Sequence, residues 1–326
     1  MIILTPKSIN TEDAILNEYG RIGILLDRNV ALISAIYSCF SNNITYVPLD
    51  LNWPDERINN AISIAQIDIV LTNKKHVHRL NVNVKAIVVD DRRAISFKKN
   101  HRPNETAYIL FTSGSTGVPK GVEITRESLF NFIDGVSEII DFSKERRIAC
   151  LTTVSFDIFF LESIMALYKG LTIILADDDE QRNPKLMANL IKDNAVDMIQ
   201  MTPSRMQLLL SQDNELSCLK GVKDIMIGGE SFPFSMLRTL QEKTTAKIYN
   251  MYGPTETTIW STISDLTHKH RIDIGRPIKN TEIYILNEDL SILPNGQVGE
   301  ICIAGKGLAS GYVGRDDLTA KNFIYL

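Results

Sequence analysis

Cysteine is scarce in this chain: four in 326 residues, Cys39, Cys150, Cys218 and Cys302, with no two in a CxxC spacing. That argues against a disulfide framework and a cysteine-built zinc site, and the four read as reduced core thiols. Long apolar runs are missing as well. Stretches such as Ile22 to Leu26 and Leu171 to Ala176 fall far short of the roughly 20 residues a helix needs to cross a bilayer. The N-terminus has no basic segment leading into an apolar one, so no secretory leader is expected and the protein reads as cytoplasmic. Neither charge sign dominates: 35 Lys and Arg against 39 Asp and Glu give a net charge of −4. That offers no electrostatic footprint for nucleic acid or an anionic membrane. No repeat of fixed period and no low-complexity tract is present.

What the chain does have is apolar content, 44%, enough to build sizeable cores, in a length that suits one large or two ordinary domains. Strand-like and helix-like patches alternate from residue 20 to about 264. RIGILLD, TYVPLD, IDIVLTN and VKAIVVDD read as buried strands; Asn29 to Ser41 and Pro54 to Gln66 read as helices. The rhythm resumes with Ser128 to Ile140, IACLTTVSFD, FFLESIMALYKG, LTIILAD, Asn183 to Asn194, VDMIQMTPS, VKDIMIGGES, Ser235 to Lys243 and KIYNMYGPTE. Such alternation implies parallel sheets covered by helices. Three strand ends carry small or polar residues, at FD, GGE and YGPTE, and in open α/β sheets ligands gather at strand carboxyl ends, so these three belong to one candidate crevice. From about Asp265 the texture changes to short alternating strands with Pro-Asn-Gly and Gly turns, as in a small antiparallel, barrel-like unit. The expected divisions are residues 1–125, 126–264 and 265–326.

The stretch YILFTSGSTGVPKGVEIT, Tyr108 to Thr125, is the clearest chemical signal. It runs from an apolar strand into Thr112, Ser113, Gly114, Ser115, Thr116 and Gly117, then through Pro119 to Lys120. Small residues let backbone N–H groups approach an anion, and a lysine adds charge, so the loop suits phosphate. It is not a Walker loop, because Lys120 is followed by Gly121 rather than Ser or Thr.

Together with GILLDRN, TYVPLDLNWPDERI, FDIFFLE, IMIGGE, NMYGPTETT, IGRPIKNTEIYILN and VGEICIAGKGLASGYVGRDDLTAKNF, this loop resembles the adenylation (AMP-binding) domain of nonribosomal peptide synthetases, in the adenylate-forming superfamily. The motifs occur in the family's order from about Gly23 to Phe323. The resemblance implies an α/β fold: the large N-terminal core of an adenylate-forming enzyme, with two βα-layered subdomains and a small antiparallel β-barrel-like one. It also implies ATP and Mg2+ as cofactors, and conversion of an amino acid to aminoacyl-AMP with release of pyrophosphate. Thr112, Ser113, Gly114, Ser115, Thr116, Gly117 and Lys120 would hold the β- and γ-phosphates. Tyr252 would stack on adenine, Thr255 would meet the α-phosphate, and Glu256 would ligate magnesium. Gly228, Gly229 and Glu230 would line the adenine and substrate floor, and Asn250 and Gly253 complete the nucleotide set. The catalytic set is Thr255, Glu256 and Lys120.

By the same resemblance the amino-acid pocket is lined by Asp157, Ile158, Leu161, Gln200, Met226, Gly228, Met251, Ile259 and Trp260. Asp157 would pair with the substrate ammonium, and the bulky remainder resembles the lining of glycine-activating domains. The implied partners are an amino acid, with glycine favoured, and a carrier-protein domain. Two positions depart from the family: Arg126 stands where a histidine is common, and Ser310 where an arginine is common. The 326 residues also stop ahead of the family's ribose-binding aspartate and lysine-bearing C-terminal lid domain, so the expectation is that a lid is supplied elsewhere. The alternatives are a catalytically inactive core that binds nucleotide and amino acid only, or an acyl-CoA synthetase-like ligase.

Overall fold

Two sheets carry the molecule, each drawing its parallel strands from one part of the βα alternation. The structure, a computed structural model, describes residues 2–4, 14–15, 20–81, 83–89, 95–97, 105–112, 119–213 and 215–324. The first sheet has seven strands in the order Gly311–Tyr312, Lys120–Thr125, Thr106–Thr112, Thr45–Pro48, Arg21–Leu25, Ile69–Thr72, Lys85–Val88. Its five inner and far-edge strands run parallel, and Lys120–Thr125 turns back antiparallel on Thr106–Thr112. The second sheet has eight, in the order Ile2–Leu4, Thr172–Leu175, Arg147–Cys150, Met198–Met201, Asp224–Gly228, Lys247–Tyr252, Thr262–Asp265, Arg276–Pro277. Its central five are parallel and its edges antiparallel.

Side-chain alternation decides how the sheets stack. In the first sheet Ile22, Ile24, Tyr46, Tyr108 and Leu110 face a core that also takes Met198, Met226, Tyr249 and Met251 from the second. Helices Val30–Ser41 and Arg126–Ser137 and the helical run from Ile158 to Lys169 supply the rest of that shared core. Residues one position along the strands point outward. Leu25, Val47, Val70 and Ile109 pack under helix Asp55–Ile64, and Ile199, Ile225, Ile227 and Ile248 under helices Pro184–Asp193, Pro203–Gln212 and Phe234–Lys243. Period-two alternation on strands apolar on both faces thus gives a five-layer αβαβα stack.

The helices start where the sequence caps them. The Asn29 side chain accepts from Ala31 N at 2.9 Å, and Asn183 and Thr202 cap helices that open on Pro184 and Pro203. The stretch from Asp265 onward keeps its antiparallel texture, but among the described residues its strands do not close on one another as a barrel. Arg276–Pro277 and Gly311–Tyr312 instead complete the edges of the two large sheets, and Thr281–Leu286 pairs with Glu300–Gly305 as a two-stranded ribbon. Open antiparallel edges offer unpaired backbone groups, and short strands take them. Cys39, Cys150 and Cys218 are buried thiols; burial pushes Cys150 up to about 12 and Cys218 up to about 11, while Cys302 sits half-buried on the ribbon. No helix among the described residues is long and apolar enough to cross a membrane.

The two sheets are tied where their strands end. Arg28, just past Arg21–Leu25, donates from Nε to Ala176 O at 2.6 Å, from Nη1 to Thr152 O at 2.7 Å and from Nη2 to Cys150 O at 2.5 Å. Three carbonyls of the second sheet thereby depend on one side chain of the first. Arg28→Met should lower stability by about 3 kcal/mol, the cost of stranding buried acceptors, read as a fall in the urea midpoint; an unmoved midpoint would refute the tie.

Candidate active site

The irregular backbone at 150–153 would be costly to bury unless each polar group found a partner. Charged side chains do this from three directions. Glu162, fully buried, accepts from Leu151 N and Thr152 N, both at 2.8 Å, and from Thr152 Oγ1 at 2.6 Å. Burial raises its pKa against the pull of those bonds and of Arg28 and Arg205. Arg205 and Gln181 both donate to Leu151 O at 2.5 Å. Asp50, at the end of the strand Thr45–Pro48, accepts from Thr153 Oγ1 at 2.8 Å and Ser155 Oγ at 2.6 Å. Burial acts to raise its pKa, but hydrogen bonds from Ser155, Asn52 and Thr153 outweigh it and hold the carboxyl below its ordinary value. A cleft of about 550 Å³ opens above this seam, lined among others by Asp50, Trp53, Arg57, Thr112, Phe156, Arg182, Arg205 and Thr255.

Thr112 and Lys120 are register partners on adjacent strands, bracketing the glycine-rich loop. Ser113, Gly114, Ser115, Thr116 and Gly117 lie outside the described residues. Lys120 opens the strand Lys120–Thr125 and its Nζ stands 5.4 Å from the Tyr312 ring centroid. The Tyr312 hydroxyl in turn donates to Glu256 Oε1 at 2.7 Å. Tyr312 was not singled out by sequence reasoning. Its place in the GYV turn is ordinary, and only the pairing of Gly311–Tyr312 with Val122 and Glu123 brings it beside Lys120.

Asp157 precedes the short helix Ile158–Phe160 and makes no capping hydrogen bond to it. Part of the residue is open, yet its carboxyl is desolvated, which pushes its pKa up to about 6; the Thr255 hydroxyl opposes the rise and the Glu256 carboxylate adds to it. Leu161 begins a π-helical turn, Leu161–Met165, the kind of irregularity that recurs at functional sites. Across the sheet Gln200 pairs with Met226, Met226 with Tyr249 and Gly228 with Met251, so these side chains share the face that looks toward Asp157's helix. Gly228 is required by contact: a β-carbon there would lie 2.5 Å from Met251 O and 2.7 Å from Trp260 Cη2. A β-carbon at Gly229 would stand 4.0 Å from both Ile158 Cδ1 and Trp260 Cη2. Ile158, Gly228, Gly229, Met251 and Trp260 therefore meet at one spot. Leu161, Gln200, Met226 and Ile259 are buried around it, and the buried Gln200 Oε1 and Trp260 Nε1 have no hydrogen-bond partner among the described residues.

A second slot of about 480 Å³ lies beside it, lined by Gly229, Glu230, Asn250, Tyr252, Gly253, Trp260 and the wall Ile272–Ile274. Asn250 Nδ2 donates to Asp273 O at 2.8 Å. The Glu230 carboxylate is turned away, accepting from Ser204 N at 3.0 Å at the start of helix Pro203–Gln212, so Glu230 contributes wall rather than charge. Among the described residues no group of three His, Cys, Asp or Glu could hold a metal alone. A magnesium ion carried by phosphate oxygens needs only one or two carboxylates, and the single Glu256 fits that role. Arg126 and Ser310 lie away from these slots. Arg126 donates to Phe40 O at 2.9 Å and Ile44 O at 3.0 Å, while Ser310 N donates to Glu123 O at 2.9 Å.

Two helix-covered parallel sheets whose strand ends share a crevice, with a glycine-floored slot beside a Tyr-Gly-Pro-Thr-Glu turn, define the core of an adenylate-forming protein. The chain belongs to the AMP-binding enzyme family, whose profile matches residues 14–313. It is 34% identical over 316 residues to a dimodular nonribosomal peptide synthase of Bacillus subtilis (strain 168), covering 93% of this chain and 13% of that protein. Tyrocidine synthase 1 of Brevibacillus parabrevis is 29% identical over 333 residues, with 98% of this chain and 29% of the relative covered. Among solved structures, holo-AB3403, a four-domain nonribosomal peptide synthetase bound to AMP and glycine, superposes with a TM-score of 0.83 at 31% identity, over 95% of this chain and 23% of that one. The chain thus spans well under a third of these relatives, and matches their adenylation core.

The Asp157 carboxyl should titrate near pH 6 by NMR in the unliganded protein. Thr255→Val removes a hydrogen bond that favours the charged form, so it should shift the titration upward; a downward shift or none would contradict the geometry.

Proposed function

We infer that the protein activates an amino acid with ATP, forming aminoacyl-AMP and releasing pyrophosphate, and that the amino acid is glycine. The observations that carry this reading are Asp157, a desolvated carboxyl with no ion-pair partner among the described residues, and the Trp260 indole, which closes the space above Gly228. An α-ammonium supplies the missing charge, and the space left favours a substrate without a side chain. That one relative's structure is bound to AMP and glycine supports the same reading.

Adenine would lie in the slot between Tyr252 and Gly229, with the α-phosphate at Thr255. Glu256, together with the phosphate oxygens, would hold magnesium, which when bound would neutralise charge on the pyrophosphate. The residues of this chain do the rest by position. Asp157 would hold the substrate so that its carboxylate meets the α-phosphate, Tyr312 orients the Glu256 carboxylate, and Lys120 would meet the β- and γ-phosphates. The aminoacyl group would pass to a carrier-protein domain.

The test is ATP–pyrophosphate exchange across the amino acids, beside calorimetric titration with ATP and glycine. Glycine should be preferred over alanine about 10- to 200-fold, the worth of one methyl in a tight pocket. Preference for a large side chain would sink the glycine reading, and binding without exchange would leave an inactive core. Asp157→Asn should cost about 2–5 kcal/mol in kcat/KM for glycine.

Exchange should also depend on pH with a definite sign. Asp157 binds ammonium only as carboxylate, and the ammonium lowers its pKa in the complex. Affinity is therefore full above about 6 and lost as pH falls below it, so KM for glycine should rise about tenfold per unit there. A flat KM from pH 7 to pH 5 would contradict the assignment.

A further inference from the structure

Two consecutive buried residues, Thr258 and Ile259, hold positive φ values of 63° and 67°. Both are β-branched, the side-chain type least suited to the left-handed region. Trp260 N donates to Thr258 O at 2.8 Å, which closes a three-residue turn about Ile259, the rare positive-φ form of the γ-turn. Backbone held this way persists only where its surroundings over-determine it, and such strain gathers at functional sites.

The surroundings can be named. Thr258 Oγ1 donates to Gly307 O at 2.7 Å, and the hydroxyls of Thr257 and Ser261 lie 2.6 Å apart across the turn. Ser261 N donates to Tyr252 O at 2.8 Å. Gly253 lets the chain pass, since a β-carbon there would sit 2.7 Å from Ser261 N and 2.8 Å from Trp260 Cα. The residue delivered by this turn is Trp260, whose Cη2 closes the pocket above Gly228.

We propose that the Thr258–Ile259 turn, latched by the Thr258 hydroxyl on the Gly307 carbonyl, sets side-chain selection by holding the Trp260 indole against Gly228. Thr258 is thus a positioning residue that acts through Trp260 and touches no substrate. The latch also joins the pocket to the ribbon, because Gly307 lies two residues past the end of the strand Glu300–Gly305. The proposal rests on the pocket being the amino-acid side-chain site. A relaxed turn would let the indole swing and admit a methyl.

The test compares Thr258→Val, which keeps shape and loses the hydroxyl, with Thr258→Ser, which keeps the hydroxyl. Gly307→Ala loads the latch from the other side, its new methyl 3.1 Å from Thr257 O. Trp53 and Trp260 are the two tryptophans of the chain, so in a Trp53→Phe background acrylamide quenching reports on Trp260 alone. Thr258→Val and Gly307→Ala should raise the quenching constant and, in the Trp53 protein, lower the glycine-over-alanine exchange ratio about fivefold, within the 10- to 200-fold worth of a methyl. Thr258→Ser should match the parent, and KM for ATP should stay put in all three. Unchanged quenching and selectivity in folded Thr258→Val, or equal losses in Thr258→Ser, overturn the latch. Should Thr258→Val fail to fold, Gly307→Ala decides alone. Should no protein exchange pyrophosphate, the parent included, the functional reading fails while quenching still decides the latch.

Discussion

The structure depends on one constraint: the carboxyl ends of two separate sheets must face each other across a crevice without leaving backbone unsatisfied. Arg28 from the first sheet supplies donors to three carbonyls of the second, and Asp50 accepts from Thr153 and Ser155 across the same seam. Glu162 closes the accounting from the helix side. Buried charges of this kind are costly unless each finds several partners. Here each has two or more, so the seam is specified rather than merely tolerated. Everything with chemistry in it, from Thr112 to Asp157 and Thr255, hangs from this seam.

Charge is distributed across the crevice by role. Asp157 is left desolvated and, among the described residues, without a cation, whereas Glu256 is oriented by Tyr312, and Tyr312 lies beneath Lys120. Thr255 touches both sides, its hydroxyl favouring the charged form of Asp157 and its side chain lining the large cleft.

Much of the fold was legible because strands apolar on both faces alternate with capped helices, a pattern with one common solution. Asn29 and Asn183 marked helix starts where the structure has them, whereas Thr202, read as the end of the strand VDMIQMTPS, proves to be a helix cap. The family and its core were legible from the order of motifs. Legibility stopped where contacts are long-range. Asp50 only closes the strand-like run TYVPLD in the sequence, and the facing strand end makes it a bridge. Arg126, at a position where the family often has histidine, proves to hold the Phe40 and Ile44 carbonyls. Tyr312 carried no local signal, and Glu230, expected on the adenine floor, spends its carboxylate on Ser204.

The sequence by itself determined the layered α/β class, the family, and which residue types gather at FD, GGE and YGPTE, because periodicity, caps and motif order are local properties. Tertiary structure alone decided the distribution of the last sixty residues between two sheet edges and a ribbon, the desolvation of Asp157, and the strained turn that aims Trp260. Each of these depends on what an unrelated stretch of chain brings alongside: an open strand edge, a second carboxylate, a carbonyl at Gly307. Local pattern records which side chains are available, and only the packed chain settles which of them meet.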